Sequence, residues 1–135
     1  MKISKKAEYG LTAMVHLARN KRLPAGRHGK KAVSIRQISN IEEVPFEFLS
    51  KIFSCLEKAG LVSSIHGANG GYYLAKSSKL ITAGIIVETI DGKINPVNCV
   101  LCSKAKKCVS KNVWDKVGQS LSKTLYSITL ASLTK

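Results

Sequence analysis

The chain has 135 residues, 44% of them hydrophobic, which is enough to bury the core of one domain. It carries 22 Lys and Arg against 8 Asp and Glu, a formal net charge of +14, so its expected partners are anionic: nucleic acid or a lipid surface. No apolar run approaches the ~20 residues of a membrane helix, and the opening MKISKKAEYG lacks the apolar core of a signal peptide, so the expectation is a cytoplasmic protein with no membrane partner.

The positive charge is concentrated near the start. Residues 1–41 hold Lys2, Lys5, Lys6, Arg19, Lys21, Arg22, Arg27, Lys30, Lys31 and Arg36 against a single acid, Glu8. Within that stretch, residues 4–20 repeat Ala7, Leu11, Met14, Val15 and Ala18 at helical spacing, with Ser4 as the N-cap. Residues 21–33 contain Pro24, Gly26 and Gly29 and read as a basic loop or ribbon. Ser34 caps a short second helix that buries Ile35 and Ile38, and a connection follows from Asn40 to Val44. Pro45 suits the opening of a third helix, where its missing N–H is not needed. That helix runs to about Ala59 with Leu49, Ile52, Phe53 and Leu56 inward, and Gly60 closes it.

Leu61 to Ile65 and Tyr72 to Leu74 read as two short strands around a glycine-rich turn, His66 to Gly71. Thr82 caps a fourth helix, about Ala83 to Ile90, which ends at Asp91-Gly92. A cysteine-bearing loop occupies about 93–110. The tail, about 112–133, is helical, with Trp114, Val117, Leu121, Leu125 and Ile128 in one stripe. Such a stripe beyond a compact unit is most simply buried against a second copy. The fold class is therefore mainly α with a small β-hairpin wing: a winged helix-turn-helix at 1–80, then a linker helix, cysteine loop and long dimerisation helix at 81–135.

Two constellations carry chemistry. The first is the helix pair plus hairpin. A recognition helix offers its N-terminal turns to base edges, here Glu47, Phe48, Ser50 and Lys51. Ser50 suits a base edge, Glu47 a cytosine amino group, and Lys51 a phosphate. Ser34, Arg36 and Gln37 open the preceding helix and suit a phosphate. The wing offers His66, Gly67, Asn69, Gly70, Gly71 and Tyr72, whose glycines let backbone approach the sugar–phosphate wall. Double-stranded promoter DNA is the partner this pattern favours.

The second is NCVLCSKAKKC, with Cys99, Cys102 and Cys108 ringed by Lys104, Lys106, Lys107 and Lys111. Four cysteines in a cytosolic chain are expected as ligands, redox groups or core residues rather than disulfides. Positive neighbours favour thiolate, and thiolates hold iron–sulfur clusters or zinc. The spacing leaves an iron–sulfur cluster, a structural zinc and a metal-free thiol switch all open. Three cysteines leave one ligand to find. Glu8 of a partner subunit is a candidate, and an ion pair to Lys5 is its plainer reading. Cys55 reads as a small core residue, and His16 and His28 as packing or surface residues.

Taken together, MKISKKAEYGLTAMVHLA, PFEFLSKIFSCLEKAGLVSS, HGANGGYYLA, ITAGIIVETIDG and VWDKVGQSLSKTLYSITLASL resemble the Rrf-type family of winged-helix regulators, with its IscR, NsrR and CymR branches. The resemblance covers nearly the whole chain. It implies a homodimer that reads pseudo-palindromic promoter DNA and holds a 2Fe–2S or 4Fe–4S cluster through three cysteines. It also implies an acidic ligand at the position of Glu8 in the nitric-oxide and redox-sensing branches. The chain departs from the assembly branch, which has a histidine where Lys111 stands. Its first two cysteines are closer than is common, His66 replaces an arginine at the wing, and the insert around Arg27 to Lys31 is longer. The reading is a non-enzymatic, sequence-specific repressor that senses redox, nitric oxide or iron–sulfur status through a cysteine-ligated cluster. The alternative is a winged-helix protein-interaction module with a structural zinc or a metal-free thiol switch.

Overall fold

A computed structural model describes residues 3–20, 32–68, 70–95 and 109–134. In chain order they form α1 (Lys5–Arg19), α2 (Ile35–Glu42), α3 (Phe46–Lys58), β1 (Val62–Ile65), β2 (Gly71–Leu74), α4 (Ala83–Asp91), α5 (Lys111–Ser127) and α6 (Leu130–Leu133). The helices start where side chains cap them. Ser4 Oγ accepts the Ala7 N–H, Ser34 Oγ accepts that of Gln37, and Thr82 Oγ1 accepts that of Ile85.

One core runs through the unit. Met14 from α1, Ile38 from α2, Leu49, Ile52, Phe53 and Leu56 from α3, and Ile81 and Ile86 around α4 are all shielded from solvent. The hairpin is antiparallel, pairing Val62 with Leu74 and Ile65 with Gly71, and Val62 adds to the core.

The connection between α2 and α3 is shorter than the expected Asn40 to Val44. The helix continues to Glu42 and stops at Glu43, whose φ of 54° is left-handed. Three contacts hold this tight turn: the Glu43 and Val44 N–H groups donate to Ser39 O, and Ser39 Oγ donates to Val44 O at 2.6 Å.

The tail departs from the continuous helix expected over about 112–133. It breaks at Ile128 and Thr129, both extended, before the short α6. Tertiary bonds override the helical periodicity there. The Ala83 N–H donates to Ile128 O at 2.8 Å and the Leu130 N–H to Ile81 O at 2.9 Å. The last turn thus folds back so that Leu130 is fully buried with the core, while α5 stays outside it. No helix among the described residues is long and apolar enough to cross a membrane.

A candidate nucleic-acid interface

The spacing of α3 fixes which of its residues face outward. Leu49, Ile52, Phe53 and Leu56 are buried along one stripe, so Glu47, Phe48, Ser50 and Lys51 are turned to solvent. All four residues expected to face the duplex are therefore exposed together. Phe46 and Phe48 are unusual large apolar groups for such a surface, at 45% and 39% exposure. Each has a partner: the Phe48 ring meets Tyr9 of α1 edge-on at 5.9 Å, and the Arg36 guanidinium lies over the Phe46 ring at 5.5 Å.

The N-terminus of α2 lies beside this surface. Ser34 and Gln37 form a reciprocal capping box: Ser34 Oγ accepts the Gln37 N–H at 3.1 Å, and Gln37 Oε1 accepts the Ser34 N–H at 3.0 Å. Their side-chain oxygens therefore hold the helix start, which leaves Arg36 as the outward cation of that turn.

The wing is fastened to both helices. The Val33 N–H donates to Tyr72 O at 2.9 Å and the Tyr72 N–H to Val33 O at 2.8 Å, joining β2 to the segment that enters α2. Gly71 permits this approach, because a Cβ there would stand 2.4 Å from the Val33 backbone. At the wing turn a Cβ on Gly70 would stand 2.2 Å from Ile65 O. Both absences of side chain are thus used by the protein's own backbone. The Tyr72 ring stacks on Phe53 at 4.7 Å, in the seam between hairpin and α3, where burial and then Glu57 raise its phenol pKa above the usual value. His66 and Gly67 are exposed at the wing tip, and Asn69 lies outside the described residues.

The ligand set is only partly in view. Cys99, Cys102 and Cys108 lie outside the described residues, and no group of three His, Cys, Asp or Glu side chains suited to a metal occurs among the described ones. Glu8 is exposed in the first turn of α1 and pairs with Lys5 Nζ at 3.0 Å, which raises the Lys5 pKa through their hydrogen bond and then their charges. One turn away, the Ser4 N–H donates to Asp91 at 3.1 Å, and Ser4 Oγ also donates to that carboxylate. The chain leaves α4 at Gly92, so α4 ends beside the start of α1. Cys55 is half-buried and donates to Thr89 O at 3.2 Å, as befits a packing residue.

Sequence reasoning missed the long-range polar pairs, among them His16 and Glu42. His16 Nδ1 lies 3.0 Å from Glu42 Oε1, tying the last turn of α1 to that of α2. The two are 26 positions apart, and neither sits in a motif that announces the other.

A second apolar feature lies on α5. Val117, Leu121 and Leu125, flanked by Lys116, Ser120 and Thr124, form with Ile3 a groove of about 450 Å³. The stripe residues are half-buried, and α5 buries only Gly118 fully.

Comparison with known proteins gives one family. Residues 3–135 match the Rrf2 model, described as an iron-dependent transcriptional regulator. The transcriptional regulator CymR of Bacillus subtilis is 35% identical over 98% of this chain and 89% of its own. IscR of Vibrio atlanticus is 30% identical over 100% of this chain and 76% of its own. The solved structure of CymR, described as the global cysteine regulator of B. subtilis, superposes with a TM-score of 0.79 at 36% identity, covering 99% of this chain and 96% of that one. With the whole described fold matched and both relatives being regulators, the chain belongs to the Rrf2 family of transcriptional regulators.

Proposed function

We propose that the chain is a homodimeric repressor that reads double-stranded promoter DNA in a sequence-specific way and responds to redox, nitric oxide or iron–sulfur status. The observation that carries the DNA-reading half is the fastening of α2, α3 and the wing into one exposed surface, by the Val33–Tyr72 bridge and the Phe53–Tyr72 stack. On it, Glu47, Phe48 and Ser50 face base edges. Arg36 and Lys51 face phosphates, with Ser34 and Gln37 holding the helix end that Arg36 rides on. His66, Gly67, Gly70 and Gly71 of the wing stand beside them, and Asn69 is taken as a further wing contact. The net charge of +14 supplies a long-range attraction to DNA. This division of labour assigns 1–80 to DNA and 81–135 to sensing and dimerisation.

The α5 groove supports the dimer. Its apolar lining faces solvent within one chain, and α5 of a second copy has the matching stripe. Two recognition helices held by one coiled pair then meet half-sites about one helical turn apart.

The sensing half rests on donor chemistry. Cys99, Cys102 and Cys108 offer three thiolates in a lysine-rich segment, the donor set of an iron–sulfur cluster, and Glu8, an exposed carboxylate, is the further ligand offered across the dimer. An iron–sulfur cluster held by these three cysteines would supply a centre sensitive to oxidants and nitric oxide. The chain's own part is mechanical: Asp91 and Ser4 tie the exit of α4 to the start of α1, so a change in the cysteine segment bears on the unit that carries α3.

Two measurements test this reading. Binding to a duplex selected from a random library by the wild-type protein should weaken steeply as salt rises; salt-insensitive binding would point instead to a protein-interaction module. Anaerobic purification should yield a coloured protein containing iron and sulfide, and Cys102→Ser should lose both and change DNA affinity by roughly 5- to 150-fold. A colourless zinc protein, or unchanged affinity in the serine variant, overturns the sensing half.

A further inference from the structure

Phe46 opens α3 with 45% of its surface exposed, so the core does not account for a large aromatic side chain there. What the ring touches is the Arg36 guanidinium, 5.5 Å from its centroid, inside the range of an attractive cation–π contact. Arg36 is an exposed residue of the first turn of α2, beside the capping box of Ser34 and Gln37. An arginine side chain with no neighbour samples many rotamers, and fixing one on binding costs entropy. A guanidinium held against a ring keeps N–H donors at its rim for a phosphate.

We infer that Phe46 is a positioning residue for DNA binding, whose ring holds Arg36 ready to meet a backbone phosphate at the junction of α2 and α3. The inference rests on the reading of Arg36 as a phosphate contact and adds to it the group that orients it. The contact also couples two elements. The ring belongs to the recognition helix and the cation to the helix before it, so an anchored Arg36 fixes the register of α3 on the duplex. Phe48 does not share this role, since its ring meets Tyr9 of α1 rather than Arg36.

The test is a double-mutant cycle on the intact protein, read as affinity and salt dependence for the library-selected duplex. Arg36→Ala should weaken binding and lower the salt slope by about one charge. Phe46→Leu, which keeps an apolar side chain but removes the ring face, should weaken binding about 2- to 5-fold. In the Arg36→Ala background, Phe46→Leu should have no effect, and Phe46→Trp in the parent should retain full affinity. Far-UV circular dichroism and denaturation midpoints should match the parent for all of them, because neither side chain is buried. Additive losses for the two positions, or full affinity in Phe46→Leu alongside a weakened Arg36→Ala, overturn the positioning role alone. An Arg36→Ala protein with parental affinity and salt slope overturns the phosphate contact as well.

Discussion

Around α3, every inward residue of the helix is closed off: Leu49, Ile52, Phe53 and Leu56 are each no more than 1% exposed. Along α5, a helix of 17 residues against 13 in α3, Gly118 is the sole buried residue, and Val113 is 55% exposed. The recognition helix is therefore positioned by its own chain, whereas α5 has an apolar face that its own chain covers only in part. A regulator benefits from that asymmetry. A reading head must keep its shape, and an arm that joins two heads must leave its surface for a partner. The sharpest way to break the comparison is to truncate one side chain in each region. Phe53→Ala should cost about 3–5 kcal/mol, since it empties a site filled on all sides and removes the ring on which Tyr72 stacks. Leu121→Ala, in the half-covered α5 stripe, should cost the isolated subunit about 1 kcal/mol or less and show itself as weakened self-association. Parallel urea titrations with sedimentation at two concentrations read both; equal losses of subunit stability would mean that α5 is core after all.

The seam between the two regions is narrower than either. A Cβ on Gly84 would fall 2.4 Å from the Tyr126 ring, so the ring packs on α4 at a position without a side chain. Gly84→Ala should destabilise by about 1–3 kcal/mol through overpacking. Placed in a Tyr126→Ala background it should become close to neutral, because the obstacle is gone. A thermal or urea denaturation cycle checks the coupling, and equal costs in both backgrounds would show that the ring simply swings away.

Which of these features the sequence announced follows from how local their causes are. The six caps and helix starts at Ser4, Ser34, Pro45 and Thr82, with Gly60 and Gly92 at the ends, depend on residues within one turn, and the structure places them where the spacing predicted. The outward set Glu47, Phe48, Ser50 and Lys51 was legible for the same reason, since helical periodicity fixes both faces once one is known. The break at Ile128–Thr129 was not legible, because the bonds that impose it come from Ile81 and Ala83, over forty positions earlier. Likewise Arg36 over Phe46 and His16 beside Glu42 depend on the angle between helices, which periodicity does not encode. The glycines of the wing were legible as a turn, but their use against Val33 and Ile65 emerged only from the packing.

A smaller effect probes the entry to the reading head. Ser34→Ala removes the side-chain acceptor of the Gln37 N–H and half of the capping box. The loss should be about 1 kcal/mol, with fraying confined to the first turn of α2. Hydrogen exchange at Gln37 and Ile38 should accelerate while the amides of α5 stay as they were. Uniform acceleration across both regions would mean that the head and the arm unfold as one unit.

The smallest effect concerns the arm's fastening and reads out in alkali. Tyr126 donates its phenol hydrogen to Glu88 across the α4–α5 seam, and that hydrogen bond, followed by desolvation and the Glu88 charge, raises its pKa above the ordinary tyrosine value near ~10. A raised pKa in the folded state means the protonated phenol is the form the fold favours. The contribution is therefore complete below the unfolded tyrosine pKa and disappears as pH climbs through the folded one. Tyr126 is 39% exposed, so solvent screens the interaction and the gain is modest. In a phenolate-absorbance titration, Tyr126→Phe should remove a late-titrating component, and Glu88→Gln should move that component earlier. In the parent, α5 should loosen from α4 only beyond the pH at which the component ionises. If the Tyr126→Phe protein loses an early-titrating group instead, the phenol is not held by Glu88, and the seam rests on the Gly84 packing alone.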